Sequence, residues 1–264
     1  MQETGIVTEN HPVCPSYYRM RIKAPKIAEQ AQPGQFVHIR CSRESGLLLR
    51  RPISIHQIRK DRQEIAMLFR AVGRGTAALS RFEPGDAVDL LGPLGKGFSI
   101  PKKSGNILLV AGGMGIAPFF ALAEDVKRTG SKVLLLYGAR TGDELSCAGE
   151  FTRIGCSIRT ATEDGSSGLK GFVTELMVPD LLRIQDYVYL CGPKPMLKKA
   201  VAICRNFGLP GEVSLEEHMA CGIGACLGCV CRVADADSNR RESRYKKVCT
   251  DGPVFSMEEV ILGD

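Results

Sequence analysis

A group of cysteines near the C-terminal end constrains this sequence most strongly. Four residues separate Cys221 from Cys226, two separate Cys226 from Cys229, and Cys249 follows further along the chain. Thiolates in this order are the ligand pattern of a plant-type [2Fe–2S] cluster. Glycines between the cysteines free the backbone to turn its N–H groups toward the cluster sulfurs. The spacing therefore predicts an iron–sulfur site on these four cysteines.

Two other interpretations of the cysteines remain open. A structural zinc site usually combines two Cys-x-x-Cys units, or one unit with a histidine pair, whereas this segment has one unit, Cys226 to Cys229. A disulfide framework requires an oxidising compartment, and residues 1–13 contain no apolar stretch typical of a signal peptide. Cys231 lies in a strand-like run, Val230-Cys231-Arg232-Val233, and is interpreted as a packing residue. The iron–sulfur site is the favoured interpretation.

Composition places the chain among ordinary globular proteins. Its 264 residues are 44% hydrophobic and 24% charged, which suits two domains and a small appendage. The net charge of +6 is spread along the chain and tryptophan is absent, so nothing favours nucleic-acid binding. Glycines and Pro118 interrupt the longest apolar run, 107–123, which argues against a membrane span. The cysteines indicate a reducing, cytoplasmic setting in which Cys41, Cys156 and Cys204 are small buried apolar residues.

The first hundred residues have the pattern of short β-strands. Apolar and polar residues alternate from Tyr18 to Ala24 and again around Phe36 to Ile39. Turn-forming pairs such as Pro33-Gly34 and Pro84-Gly85 separate the strand signals at intervals of about ten residues. The pattern predicts a small antiparallel β-barrel over residues 1–100, with 86–91 as its last strand.

Three segments of this region carry candidate binding residues. Arg51-Pro52-Ile53-Ser54 is expected to end a strand with a guanidinium, which suits bidentate capture of a pyrophosphate. Gly73-Arg74-Gly75-Thr76 precedes a predicted helix over 77–82, and a glycine turn before a helix can bind an anion. Between them, Leu68-Phe69-Arg70 is placed to lie along a flavin or its adenine. Taken singly, each segment is equally compatible with a solvated arginine or a plain helix cap.

Together the three segments resemble the flavin-binding barrel of the ferredoxin reductase superfamily. The resemblance implies that Arg51 to Ser54 bind the FAD pyrophosphate and the ring edge, with Ser54 hydrogen-bonding the reactive edge of the ring. It implies also that Gly75 and Thr76 cap the diphosphate. Many members carry tyrosine where this sequence has Ile53, so the ring loses that aromatic partner here.

From Asn106 onward the pattern changes to alternating strands and helices. An apolar run, 107–111, is typical of a strand buried on both faces, and a glycine-rich turn and a helix over 119–128 follow it. Further strands are predicted over 132–137, 156–161 and 187–191, with helices near 144–154, 173–182 and 194–206. Repeated βα units imply a doubly wound parallel α/β sheet over residues 101–210, which binds ligands at the carboxyl ends of its strands.

The turn after the first of these strands is the candidate nucleotide-binding loop. It lacks the Gly-x-Gly-x-x-Gly pattern, yet Gly112, Gly113 and Gly115 let its backbone approach a phosphate. A tight strand–helix turn is the alternative. In the ferredoxin reductase superfamily, this loop and a segment like Cys191-Gly192-Pro193 flank the nicotinamide nucleotide, which implies that Cys191 lies near the nicotinamide. No Arg and Ser cluster marks a 2′-phosphate site near Glu163-Asp164-Gly165, so NAD is favoured over NADP.

The last segment, residues 211–264, is predicted to be a small [2Fe–2S] domain. A strand over 212–219 leads into the loop from Cys221 to Cys229, which we name the cysteine loop. The charged stretch 235–244 is interpreted as an exposed excursion. Two stretches, Glu217-His218-Met219-Ala220-Cys221 and Cys249-Thr250-Asp251-Gly252-Pro253, complete a pattern that spans nearly the whole chain. Barrel, nucleotide domain and cluster domain in this order resemble the electron-transfer subunits of B-type, NAD-dependent dihydroorotate dehydrogenases.

That resemblance implies a complete route for electrons. FAD would occupy the barrel, a [2Fe–2S] cluster would bind the four cysteines, and a partner catalytic subunit would carry FMN. Electrons from dihydroorotate would pass through FMN, cluster and FAD to NAD⁺, in pyrimidine biosynthesis. Two such chains would assemble on a dimer of catalytic subunits, giving a 2+2 heterotetramer.

Other functions share parts of this layout. The small subunit of an NADH-dependent ferredoxin:NADP oxidoreductase, or a hydrogenase-linked diaphorase, is the main alternative, although some of these replace the first cluster cysteine by aspartate and this chain keeps Cys221. A zinc-binding module without redox activity and a reductase that serves an oxygenase are further alternatives. His218, beside the cysteine loop, is interpreted as an ordinary hydrogen-bonded histidine.

Overall fold

A computed structural model describes residues 1–41, 46–145, 147–234 and 243–263. The exposed excursion expected over 235–244 lies outside the described residues, apart from its last two positions. None of the helices in the described ranges combines the length and the apolar character needed to cross a membrane.

The N-terminal region forms a closed antiparallel barrel, as predicted. Its strands follow the order β1-β2-β5-β4-β3-β6 around the barrel. Alternating side chains such as Met20, Ile22, Ile55 and Met67 point inward and are fully buried. The elements are β1 (Gln2–Cys14), β2 (Tyr17–Lys23), α1 (Pro25–Gln30), β3 (Phe36–Ile39), β4 (Arg51–Arg59), β5 (Glu64–Arg70), α2 (Arg74–Leu79) and β6 (Ala87–Leu94).

Two boundaries in the barrel differ from the sequence expectation. Arg51 opens β4 rather than ending a strand, because its pairing with Ile39 begins the β3–β4 ladder. Helix α2 starts at Arg74 instead of Ala77. The Thr76 hydroxyl accepts the backbone N–H groups of Val72 and Gly73 at 3.1 and 3.3 Å, which fixes the first turn three residues earlier.

The second region is a seven-stranded sheet in the order β10-β9-β8-β7-β11-β12-β15. All its neighbouring strands are parallel except β12 and β15. Leu108 and Val110 of β7 pack with α6, whereas Ile107 and Leu109 pack with α3 on the opposite face. The elements are β7 (Asn106–Gly112), α3 (Phe119–Arg128), β8 (Lys132–Ala139), α4 (Ala148–Arg153), β9 (Ser157–Thr162), β10 (Leu169–Lys170), α5 (Pro179–Leu182), β11 (Tyr187–Cys191), α6 (Lys194–Asn206), β12 (Gly211–Ser214), β13 (Val230–Ala234), β14 (Ser243–Lys247) and β15 (Val254–Ser256).

The doubly wound sheet is thereby confirmed, and helices α3 and α6 occupy the predicted residues. Two other predicted helices are broken into short pieces. The stretch 144–154 divides into a 3₁₀ turn and α4. The stretch 173–182 divides at Val178, which is extended with ψ of 152° because Pro179 disfavours helical geometry in the residue before it.

The C-terminal segment contributes to the sheet and also leaves it. Strands β12 and β15 pair with each other and extend the sheet beyond β11, while β13 and β14 form a separate ribbon. The strand expected over 212–219 ends at Ser214, after which the chain crosses the mouth of a cleft between barrel and sheet. The division at residues 100 and 210 remains a prediction. Cys41, Cys156 and Cys204 are buried, as expected.

Candidate functional site

A cleft of about 230 Å³ lies between the barrel and the carboxyl ends of the sheet strands. Ser54 on β4 lines the barrel side and Cys191 at the end of β11 lines the sheet side. The cleft brings together eight of the predicted site residues: Pro52, Ile53, Ser54, Leu68, Phe69, Arg70, Thr76 and Cys191. We name this space the ring cleft, because its apolar walls and few polar groups suit a planar heterocycle.

Arg51 and Gly75 lie beside the ring cleft rather than in its wall. The Arg51 guanidinium rests on the first turn of α2, and a Cβ at Gly75 would approach Arg51 Nε to 2.8 Å. Arg51 Nη1 donates to the Leu49 carbonyl at 2.7 Å, which holds the guanidinium in place. Because Gly75 has no side chain, the Arg51 guanidinium has room next to Thr76. This arrangement fits a diphosphate.

A second, larger cleft of about 540 Å³ lies at the carboxyl ends of β7, β8, β9 and β11. Gly112, Gly113, Pro193 and Glu163 line it. This is the position at which doubly wound sheets bind nucleotides, and we name it the nucleotide cleft. Met114 and Arg70 line both clefts, which therefore adjoin.

Gly115 and Gly192 do not line either cleft; they allow the loop and the end of β11 to pack closely. A Cβ at Gly115 would come within 2.2 Å of the Cys191 carbonyl oxygen. Gly192 has a φ of +156°, and a Cβ there would meet the Gly112 backbone nitrogen at 3.0 Å. The two glycines thereby place Cys191 in the wall of the ring cleft.

Cys191 is buried, and the surroundings of its thiol favour the neutral form. Burial, together with the charge of Glu216, raises the pKa of the Cys191 thiol well above its ordinary value. A protonated thiol is a weak nucleophile. Cys191 therefore suits contact with a ring rather than covalent catalysis.

Sequence reasoning missed several residues of the ring cleft. Ser214 and Glu216 line it close to Cys191. Both follow from the position of β12, which lies parallel to β11, so its carboxyl end meets the same edge of the sheet. The sequence did not predict these two cleft residues, because a strand that continued over 212–219 would carry its later residues away from that edge.

The barrel and the sheet are held together by a buried ion network around Glu150 of α4. Arg19 of β2 forms an ion pair with Glu150, and His56 of β4 approaches it at 3.6 Å. Burial alone would raise the pKa of Glu150, but the neighbouring His56 and Arg19 side chains hold that pKa at about 2. His56 Nδ1 also lies 2.8 Å from the Ala117 carbonyl oxygen, which ties the barrel to the nucleotide-binding loop.

The four predicted cluster cysteines lie near one another in the C-terminal segment. Cys229 and Cys249 are buried, Cys221 is half-buried and Cys226 is exposed. Backbone N–H groups point at three of the sulfurs: Ile223 N lies 3.5 Å from Cys221 Sγ, Gly224 N 3.2 Å from Cys249 Sγ, and Cys249 N 3.4 Å from Cys229 Sγ. Such donors stabilise thiolates that bind iron.

The thiols lie as two neighbouring pairs, Cys221 with Cys226 and Cys229 with Cys249. Within the described ranges, no three Cys, His, Asp or Glu side chains converge on one point as ligands of a single ion would. Two pairs of thiols match the four ligands of a [2Fe–2S] cluster, with two for each iron. Gly222 and Gly224 adopt φ values of +71° and +81°, which allow the loop to turn around such a cluster.

The cysteine loop also adjoins the ring cleft. Met219, two residues before Cys221, and Pro253, four residues after Cys249, both line that cleft. The Leu215 N–H donates to the Pro253 carbonyl at 2.9 Å and joins the two ends of the segment. Nucleotide cleft, ring cleft and cysteine loop therefore lie side by side.

Comparison with known families agrees with this division of the chain. Residues 216–261 match the iron-sulfur cluster binding domain of dihydroorotate dehydrogenase B. Residues 109–202 match the oxidoreductase NAD-binding domain. The first match covers the cysteine loop and the second covers the nucleotide cleft.

A solved structure at 33% identity resembles this chain over nearly its full length. It belongs to an NADH-dependent reduced ferredoxin-NADP oxidoreductase and superposes with a TM-score of 0.84 at 33% identity, covering 98% of this chain and 90% of its own. A ferredoxin NADP+ reductase from Neisseria gonorrhoeae, with bound FAD and NADP, has a TM-score of 0.66 at 17% identity over 78% of this chain and 92% of its own. The second likeness is one of fold.

Curated relatives are more similar to this chain in sequence than these two solved structures are. The dihydroorotate dehydrogenase B (NAD(+)) electron transfer subunit of Desulforamulus reducens is 42% identical over 94% of both chains. The subunit of the same name from Geobacillus thermodenitrificans is 40% identical over 99% of both chains. The chain therefore belongs to the family of dihydroorotate dehydrogenase B electron transfer subunits.

Proposed function

We propose that this chain passes electrons from a dihydroorotate dehydrogenase catalytic subunit to NAD⁺. The observation that carries the proposal is the contiguity of three sites: the ring cleft adjoins the nucleotide cleft through Met114 and Arg70, and the cysteine loop through Met219 and Pro253. FAD in the ring cleft, with a [2Fe–2S] cluster on the cysteines, supplies the exchange between single electrons and hydride when bound.

The residues of the chain position these groups and keep competing chemistry away. Ser54 offers a hydroxyl to the ring edge, and the neutral thiol of Cys191 fills the opposite wall without attacking the ring. The thiolates of Cys221, Cys226, Cys229 and Cys249 would hold the iron, with the backbone N–H groups of the loop directed at their sulfurs. The glycine-rich loop admits the nucleotide beside the ring.

The partner is a catalytic subunit that carries FMN, and two of each subunit form a heterotetramer. The cysteine loop is the face that meets this partner, because electron transfer needs short distances. Ile223 and Leu227 in the loop are 58% and 62% exposed, and exposed apolar side chains around a redox site favour docking. Iron binding by the four cysteines requires reduced thiols, which supports a cytoplasmic setting.

The proposal is tested with the purified chain and a separately prepared catalytic subunit. The chain, isolated anaerobically, should contain one FAD, two irons and two sulfides. Mixed with the FMN-bearing subunit, it should make NAD⁺ reduction depend on dihydroorotate. A chain that contains zinc and no flavin, or that couples only to ferredoxin and NADP⁺, would refute the proposal.

Arg51→Ala should weaken FAD retention. The substitution removes the guanidinium held beside Thr76 and Gly75, and a charge-assisted contact of this kind is worth about 1.5–3 kcal/mol, or roughly a tenfold to hundredfold change in affinity. Flavin content after dialysis and the FAD dissociation constant measure the effect. Arg62→Ala, at an exposed arginine away from both clefts, is the control. An Arg51→Ala chain with full flavin content contradicts the assignment.

Glu163→Ser should relax the preference for NAD over NADP. Glu163 lines the nucleotide cleft at the end of β9, where its carboxylate would repel a 2′-phosphate. Removing a like charge at contact distance is worth about 1–4 kcal/mol, so discrimination against NADPH should fall by about tenfold or more. The ratio of kcat/KM for NADH and NADPH in dye reduction measures it.

The matched control for Glu163 is its neighbour Asp164. The Asp164 carboxylate accepts hydrogen bonds from Ser166, at 2.9 Å from its backbone N–H and 2.6 Å from its hydroxyl. It is therefore part of the turn and does not face the cleft. Asp164→Asn should leave the NADH to NADPH ratio unchanged; an equal change in both variants would show that overall charge, not the position of Glu163, sets the preference.

A further inference from the structure

His38 is buried between the barrel and the cysteine loop. On β3, Val37 and Ile39 point into the barrel core, so Phe36 and His38 point outward. The outward face is covered by the C-terminal segment: Phe36 packs into the same apolar cluster as Cys229 and Cys249. His38 consequently has no exposed surface at all.

Among the described residues, none forms a hydrogen bond with the imidazole of His38. Neither Nδ1 nor Nε2 makes a hydrogen bond to any described residue. Burying a polar ring without a hydrogen bond is unfavourable, and most buried polar groups in proteins are paired. An unpaired ring of this kind indicates a hydrogen-bond partner that binds from outside the chain.

The position of the ring identifies which site that partner occupies. His38 lies against Gly222, the residue after Cys221, so closely that a Cβ on Gly222 would come within 2.6 Å of Nδ1. The side chain of Arg50 also lies near, but it donates to the His38 and Asp89 carbonyls at 3.4 and 2.9 Å and offers no acceptor. An imidazole always carries at least one N–H donor. The backbone carbonyls of Cys221 and Arg50 lie near the ring, but neither meets hydrogen-bond geometry with it, and the further acceptors that the loop is built to hold are sulfur atoms.

We propose that His38 is a positioning residue for the iron–sulfur site, whose ring N–H donates to the sulfur atoms at its Cys221 end. The inference rests on the proposed iron–sulfur function of the four cysteines. His38 pairs with Pro52 of β4 in the barrel ladder. Strand β4, which brings Ser54 to the ring cleft, is therefore connected through His38 to the loop that holds the cluster. This connection fixes the position of one site relative to the other.

Hydrogen bonds to cluster sulfurs raise the reduction potential, because they stabilise the more negative reduced state. His38→Leu, which keeps the volume and removes the donor, should therefore lower the potential of the iron–sulfur site. His38→Asn, which retains an N–H donor, should restore part of the loss. The potential is measured on the full chain, with its FAD and iron in place, by a redox titration followed by electron paramagnetic resonance.

His218→Leu is the matched control, because His218 is an exposed histidine three residues before Cys221. It should leave the potential unchanged. An unaltered potential in His38→Leu with full iron content would reduce His38 to a packing residue and overturn the proposal. Loss of flavin with iron retained would assign the ring to the flavin site and overturn it equally.

If His38→Leu does not retain its iron, the proposal is tested by the iron, sulfide and flavin contents of both His38 variants. Retention in His38→Asn, with a potential close to that of the unaltered chain, then supports the donor role. Loss in both variants means that the imidazole shape, not its N–H, is required, and the proposal fails. An unaltered chain that binds no iron would contradict the iron–sulfur function itself.

Discussion

We expect Cys226→Ser to remove the iron–sulfur site while leaving NADH oxidation by small dyes largely intact. Cys226 is the exposed member of the four thiols, so its replacement leaves the core undisturbed. Changing a residue that supports a metal ligand lowers the metal affinity by about 10–100-fold. Removing a ligand itself should lower the affinity by more than that. Electron transfer from the catalytic subunit to NAD⁺ should then fall to background, because electrons pass from the partner to the ring cleft through the cluster on the cysteine loop.

Iron, sulfide and flavin contents, dye reduction and partner-linked turnover are measured together on this variant. Cys231→Ser is the matched control: Cys231 lies two residues beyond Cys229, packs against the apolar cluster, and has a thiol whose pKa is raised to about 11 by burial. It should retain iron and turnover. An equal fall of dye reduction and partner-linked turnover in Cys226→Ser would mean that flavin and cluster are not separate stations, which contradicts the proposed route.

Gly115→Ala should destabilise the protein and weaken NADH binding together. The added Cβ would lie 2.2 Å from the Cys191 carbonyl oxygen and 2.4 Å from its carbon, and both are backbone atoms that cannot rotate away. Overpacking of this kind costs about 1–3 kcal/mol, which lowers the melting temperature by several degrees. The loop must move away from the end of β11, so the KM for NADH should rise by about tenfold.

Thermal unfolding and steady-state dye reduction test this expectation. Gly149→Ala is the control in the same region, since a Cβ at Gly149 of α4 meets only the end of the Arg153 side chain, at 4.0 Å. Alanine in a helix is favoured over glycine by about 1 kcal/mol, so that variant should be neutral or more stable. A Gly115→Ala chain with unaltered melting temperature and KM would show that the loop does not depend on this close approach.

Local chemistry made much of this protein predictable from its sequence. The spacing of Cys221, Cys226, Cys229 and Cys249 predicts the iron–sulfur site, because iron ligation requires thiolates at short intervals. The change from alternating strands to βα units at Asn106 predicts a barrel followed by a parallel sheet, and both are present. Helix α6 is found at its predicted residues because its apolar period is long and uninterrupted.

Short elements and their ends were less predictable, because tertiary contacts decide them. The expected helix over 173–182 is broken before Pro179, and α2 starts at Arg74 because the Thr76 hydroxyl caps it. The strand expected to reach Met219 ends at Ser214, where the chain leaves the sheet to cover the ring cleft. In each case a side-chain cap, a proline or an edge of the sheet outweighs the local apolar pattern.

The sequence by itself determined which chemical groups this protein has: four thiols in ligand spacing, a glycine-rich nucleotide loop, and an arginine and a serine in a barrel strand. Only the tertiary structure decided which of them meet. It placed Ser54 and Cys191 on facing walls, brought Glu216 into the same cleft, and buried His38 behind Gly222. Those contacts join residues far apart in the chain, and they depend on how barrel, sheet and loop pack, which no local pattern encodes.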